Sequence, residues 1–160
     1  MLESLFNPQA VAVVGASRSP GKVGHEILAN MLESGFQGRL IPVNPSADEV
    51  LGLPCRKDLK SYGGKVDLSV IAVPTKFVKA AVEDSIGAGA RAITVITAGF
   101  KEVGPEGDAL EKDLAALCAN HSVRLLGPNC LGLINTHARM NASFAKHMPK
   151  TGGISVISQS

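Results

Sequence analysis

The stretch Ala10-Val-Ala-Val-Val-Gly15-Ala-Ser-Arg-Ser-Pro-Gly21-Lys-Val-Gly24-His-Glu-Ile-Leu28 decides the fold. Residues 11–14 are apolar and mostly β-branched, which reads as a buried strand. A glycine turn follows, and then apolar residues at the spacing of an amphipathic helix. A strand that turns tightly into a helix leaves the helix's first backbone N–H groups unpaired and aims its positive end at one spot. That arrangement suits a phosphate. The glycines fall at 15, 21 and 24, which departs from the Gly-x-Gly-x-x-Gly spacing of dinucleotide folds. The next strand runs into Asn44-Pro45-Ser46, where a dinucleotide-binding fold carries an acid for the ribose hydroxyls. The pattern points to a nucleotide and away from NAD.

Working outward, the chain alternates short apolar runs with helical periodicity. Further strands are expected at 40–43, 68–73, 92–96 and 123–126, all short and mostly apolar, as in a parallel sheet covered on both faces. A helix over 22–34 places Val23, Ile27, Leu28, Met31 and Leu32 on one face and ends at Gly35. A second, over 76–86, follows Thr75 as its N-cap and turns Phe77, Val78, Ala81 and Val82 inward. A third, over 106–119, starts after Pro105 and presents Leu110, Leu114 and Leu117 to the sheet. Residues 46–65 are irregular, with a short helix at 58–62. The expected fold class is α/β: a doubly wound, mostly parallel, five-stranded Rossmann-like sheet with helices on both faces and right-handed crossovers.

At 160 residues the chain is one domain's worth, enough to bury about 70% of its unfolded surface. The formal charge of +2 is too mild to argue for nucleic acid or a membrane surface. One tyrosine, five phenylalanines and no tryptophan supply few stacking platforms for single strands. Cys55, Cys118 and Cys130 are scattered without Cys-x-x-Cys spacing, which argues against a disulfide framework or a zinc site. No signal-peptide pattern opens the chain and no apolar run approaches ~20 residues. A reducing cytoplasm is the expected location.

The C-terminal segment reads as a turn at 149–153 and a strand at 154–158, followed only by Gln159 and Ser160. The expected organisation is therefore a nucleotide-binding domain over 1–150 and, over 151–160, the first strand of a following domain cut at its boundary.

Ligands of open α/β sheets bind beyond the carboxyl ends of the strands. The residues there are Gly15, Ala16, Ser17, Arg18, Gly21, Lys22, Val23 and Gly24 after the first strand, and Asn44 with Pro45 after the second. Val73 and Pro74 follow the third, Thr97, Ala98 and Gly99 the fourth, and Asn129 with Cys130 the fifth. Every one of these ends is rich in glycine, proline or small polar residues, which lets backbone approach a ligand closely. Singly, each loop is ordinary, Arg18 and Lys22 are compatible with solvated loop positions, and Cys130 with an inert thiol.

Together, Gly-Ala-Ser…Gly-Lys-Val-Gly, Pro-Val-Asn-Pro, Ile-Ala-Val-Pro, Ile-Thr-Ala-Gly-Phe and Leu-Gly-Pro-Asn-Cys-Leu-Gly-Leu-Ile-Asn135 resemble one family in order and spacing. It is the CoA-binding N-terminal domain of the nucleoside-diphosphate-forming acyl-CoA synthetases, which include ADP-forming acetate–CoA ligase and are similar to the succinyl-CoA synthetase alpha subunit. The resemblance covers nearly the whole chain, and Gly-Pro-Asn-Cys-Leu-Gly is its most specific element. It implies that residues 17–24 hold the phosphates of coenzyme A. It places Asn44-Pro45 and Val73-Pro74 along the adenosine and pantetheine path, and residues 97–99 with Asn129-Cys130 near the thiol end. A neutral Asn44 agrees with this, since an acid there would be repelled by the 3′-phosphate of the cofactor.

The resemblance further implies a reaction in which acid, CoA and ATP become acyl-CoA, ADP and phosphate through a phosphorylated histidine on a second domain. His25, His121, His137 and His147 lack that context, so this chain is expected to contain no catalytic residue and no metal site. ATP, ADP and magnesium would enter only through downstream ligase and ATP-grasp domains or a partner subunit. Two rivals stand beside this reading. One is a regulatory or stand-alone CoA-binding protein, such as the synthetase-like region of a protein lysine acetyltransferase. The other is an NAD(P)-dependent oxidoreductase domain, against which Asn44 and the glycine spacing speak.

Overall fold

In the computed structural model, which describes residues 2–158, one helical turn, α1 (Glu3–Phe6), leads into β1 (Ala10–Val14). Every residue of β1 is buried, as its unbroken apolar run requires. The glycine turn then delivers the chain to α2 (Val23–Glu33), which Gly35, in the left-handed region, ends at φ +71°. The chain continues through β2 (Arg39–Val43), a small hairpin of β3 (Glu49–Val50) and β4 (Leu53–Pro54), and the single turn α3 (Leu59–Tyr62). Asp58 caps α3 by accepting from the Ser61 N–H at 2.6 Å. There follow β5 (Leu68–Ile71), α4 (Val78–Gly87), β6 (Ala92–Val95), α5 (Pro105–Asn120) and β7 (Arg124–Leu126). A final antiparallel hairpin joins β8 (Gly132–Asn135) to β9 (Met140–Ser143).

The five long-range strands pair in parallel in the order β2-β1-β5-β6-β7. Val11 lies between Leu40 and Leu68 in the register, so the apolar runs stack across the sheet. One face, with Ile41, Ile71, Ile93 and Val95, is covered by Leu59 of α3, Val78 and Val82 of α4 and Leu114 of α5. The other face, with Val11, Val13, Leu68 and Val70, is covered by Leu5 of α1, by Ile27, Leu28 and Met31 of α2, and by Leu133, Met140 and Ala142 of the hairpin. Ile27, Leu28 and Met31 are completely buried, which stabilises α2 against the sheet by about 1.5–3 kcal/mol each. This is the doubly wound α/β fold expected from the sequence.

Several local expectations are corrected. β5 ends at Ile71 rather than 73, because residues 72–75 leave the sheet to close the strand-end loop. Val23 and Leu32 are each 39% exposed, since the inward face of α2 is centred on Gly24, Ile27, Leu28 and Met31. Thr75 does not cap α4: it opens a 3-10 turn (Thr75–Phe77) and its hydroxyl donates to the Ala98 carbonyl. That turn shifts the register and leaves Phe77 52% exposed. Leu110 is likewise on the outer side of α5. Residues 154–158, expected as a strand, pair with nothing among the described residues, and Ile154, Val156 and Ile157 are 85–96% exposed. Gln159 and Ser160 of that expected segment lie outside the described residues.

Candidate functional site

The strand order reverses direction between β1 and β5, and the loops at that carboxyl edge are laced to one another. The Gly15 N–H donates to Val43 O at 2.9 Å, and Asn44 Nδ2 donates to Ala16 O at 2.7 Å. The Ala72 N–H donates to Val14 O at 2.8 Å. Thr97 Oγ1 donates to Val73 O at 2.6 Å and Thr75 Oγ1 to Ala98 O at 2.8 Å. The Asn129 N–H donates to Thr97 O at 3.0 Å, and the Cys130 thiol reaches Val95 O at 3.4 Å. Five loops distant in sequence thus form one continuous rim. Glycine is required where they touch. Gly15 has φ +94°, and a Cβ there would strike the Ala72 carbonyl; a Cβ on Gly24 would strike the Gly15 carbonyl. The absence of both side chains lets α2 begin directly against the turn.

Around that turn, the backbone N–H groups of Ala16, Ser17, Arg18, Val23 and Gly24 have no hydrogen-bond partner among the described residues. Arg18 and Lys22 are exposed beside them, and neither forms an ion pair there. Free donors at a helix start with two cations nearby make an anion-binding loop. The loop is braced from α2: His25 Nδ1 donates to Ser17 O at 2.9 Å, and Glu26 Oε1 accepts the Gly21 N–H at 2.7 Å. Sequence reasoning missed Glu26, although an acid five residues after a turn glycine and within the first helical turn is a recognisable brace.

Next to the loop lies an open cavity of about 410 Å³. Five of the expected residues line it: Val23, Thr97, Ala98, Asn129 and Cys130. Ala72, Ile96, Leu131 and Phe144 line it as well and were not anticipated. Phe144 comes from the end of the unforeseen hairpin, so no strand-end rule pointed to it. Arg18, Gly21, Lys22, Pro45 and Pro74 are exposed outside the cavity. Both ends of the Asn44 amide are engaged within the protein, since Oδ1 also accepts the Ser46 N–H at 2.8 Å.

Among the described residues, no charged side chain lines the cavity. Burial pushes the Cys130 thiol above its ordinary pKa, although the Gly132 and Cys130 N–H groups oppose the shift. The thiol, bonded to the Val95 carbonyl, forms part of the cavity wall. At the β6 end, Glu102 accepts the Gly99 N–H at 2.6 Å and the Phe100 N–H at 3.2 Å. Those bonds, the Gly99 one foremost, hold its carboxyl below the usual range. The site can hold an anion at the loop and an apolar or neutral group in the cavity. It assembles no acid–base pair among the described residues.

A family model described as a CoA binding domain matches residues 9–136. The alpha subunit of acetate–CoA ligase [ADP-forming] II from Pyrococcus furiosus is 43% identical over 161 residues, 100% of this chain and 35% of that protein. Acetate–CoA ligase [ADP-forming] I from Archaeoglobus fulgidus is 45% identical over 159 residues, 99% of this chain and 23% of that protein. Among solved structures, the dinucleotide-forming acetyl-coenzyme A synthetase 1 of Ca. Korarchaeum cryptofilum, in complex with phosphate and ADP, superposes with a TM-score of 0.86 at 46% identity. That match covers 90% of this chain and 31% of the other. The chain spans about a third or less of the length of each of these three proteins.

Proposed function

The chain belongs to the CoA binding domain family, and from that membership we propose that it is the cofactor-holding part of an ADP-forming acyl-CoA synthetase. In the whole protein, acid, CoA and ATP would become acyl-CoA, ADP and phosphate. ATP and magnesium would be handled by further domains or a partner subunit, as the relatives' length, of which this chain spans 35% and 23%, supports.

The observation that carries this reading is the group of five free N–H donors at the β1–α2 turn, flanked by Arg18 and Lys22. These would hold the cofactor's phosphates. Asn44, being uncharged, leaves the neighbouring ground open to a 3′-phosphate, and Asn44-Pro45 would border the adenosine. Val73 and Pro74 would guide the pantetheine arm. Thr97, Ala98, Asn129 and Cys130 would surround its thiol end in the cavity beside the loop. The chain's own contribution is to bind and orient; Cys130, kept protonated, takes no covalent part.

Alkylation of Cys130 tests the assignment. Saturating CoA should slow reaction of the wild-type thiol with a maleimide several-fold, while Cys55 continues to react at its own rate. Equal rates at Cys130 with and without CoA would remove the thiol end from this cavity.

A further inference from the structure

A buried polar network joins α2 to the end of β9, and it brackets one residue. Asn30, in the middle of α2 and 7% exposed, donates from Nδ2 to Ser143 O and to Ala145 O, both at 2.8 Å. Asn141 Nδ2 also donates to Ala145 O, at 3.2 Å. Ser143 Oγ donates to Asn141 Oδ1 at 2.6 Å and accepts the Ala145 N–H at 3.2 Å. The backbone is therefore clamped immediately before and immediately after Phe144. Three polar side chains in an apolar layer carry a desolvation cost that only complete pairing offsets, and what complete pairing gives in return is a single fixed arrangement.

The arrangement it fixes is an aromatic wall. Phe144 is 40% exposed and lines the strand-end cavity together with Ile96, Leu131 and Val23. The Thr97 hydroxyl and the Cys130 thiol, two of the few polar groups at the cavity, are already turned to Val73 O and Val95 O. What remains facing a guest is largely hydrocarbon. We propose that Phe144 is a specificity-determining residue, the wall that limits the length of the acyl group on the bound thioester and favours short uncharged acyl groups. This rests on the reading that the pantetheine arm ends in this cavity. A ring whose backbone is held on both sides cannot retreat by a shift of its loop, so added methylenes meet it.

The test is titration calorimetry of the chain with CoA, acetyl-CoA, butyryl-CoA and hexanoyl-CoA, for wild type, Phe144→Ala and Phe144→Trp. Wild type should bind hexanoyl-CoA about 10-fold or more weakly than acetyl-CoA. Phe144→Ala should reduce that ratio to about threefold or less, and Phe144→Trp should bring butyryl-CoA into the disfavoured class. Each ratio is taken within one variant, so any change in affinity for CoA itself, whose thiol end shares the cavity with Phe144, does not enter it. Wild type binding hexanoyl-CoA as tightly as acetyl-CoA, or an unchanged ratio in Phe144→Ala, would overturn the inference while leaving the cofactor reading intact. Failure of wild type to bind CoA itself would overturn the cofactor reading, and this inference with it.

Discussion

The side-chain amide of Asn44 donates to the carbonyl of Ala16 at 2.7 Å, fastening the end of β2 to the glycine turn that follows β1. The residue where a dinucleotide fold keeps its ribose-binding acid is here a neutral strut. Asn44→Ala should cost about 0.5–1.5 kcal/mol of stability for the lost bond. Asn44→Asp cannot donate and sets a negative charge against a carbonyl, so it should cost more, about 1–3 kcal/mol. The aspartate should also weaken CoA about 10-fold through repulsion of its 3′-phosphate, a group that NAD lacks. Thermal melts and titrations of the two variants check this; equal CoA affinities would show that charge at this position is immaterial.

Lys22 occupies the N-cap position of α2 in an extended conformation, exposed and without an ion pair among the described residues. Loss of a charge-assisted phosphate contact costs about 1.5–3 kcal/mol. Lys22→Ala should therefore raise the dissociation constant for CoA by roughly 10- to 100-fold at low salt, with melting temperature unchanged. A solvated lysine of no function would leave CoA affinity where it was.

How far the sequence discloses this molecule follows from what each residue's signal depends on. The inner strands β1, β5 and β6 were legible because each is buried throughout and so reads as a largely apolar run, as in Val11 to Val14, while the edge strands β2 and β7 are buried only in part. The strand-end rule then located Gly15, Thr97 and Asn129 without any knowledge of what touches what. Helix faces were less legible: Val23, Phe77 and Leu110 fit an apolar stripe but sit at its margins, where one step of rotation decides burial. The β8–β9 hairpin escaped because its strands have four residues each and Asn141 and Ser143 are polar yet buried. The bond from Asn30 to the Ser143 carbonyl, more than a hundred residues away, is invisible to local pattern. Phe144 was lost with the hairpin, and Glu102 because an exposed acid bonding to nearby N–H groups leaves no periodic trace.

Glu102 gives the site's loop a definite pH dependence. The Gly99 N–H foremost, then its own N–H and last the Phe100 N–H lower its folded pKa. A carboxylate with a depressed folded value contributes stability that is full above the unfolded pKa of about 4.3. That contribution is lost as pH falls through the lowered folded value. Glu102→Gln keeps the shape and removes the charge. Wild type should therefore melt higher than the variant at pH 7, by a margin that holds down to about pH 5 and closes below the ordinary carboxylate range. Melting curves across pH 3–7 check it; a margin that persists undiminished at pH 3 would mean the carboxylate charge is not what holds the Gly99 loop.

The central claim is that the free donors at the β1–α2 turn, the neutral Asn44 and the cavity beside them select coenzyme A over a nicotinamide dinucleotide. Titration calorimetry of the chain with CoA, dephospho-CoA and NAD under identical conditions measures it most directly. The account predicts that CoA binds tightest, that dephospho-CoA is weaker for want of the 3′-phosphate, and that NAD is weaker than CoA by about 10-fold or more. NAD binding as tightly as CoA, or more tightly, would contradict it.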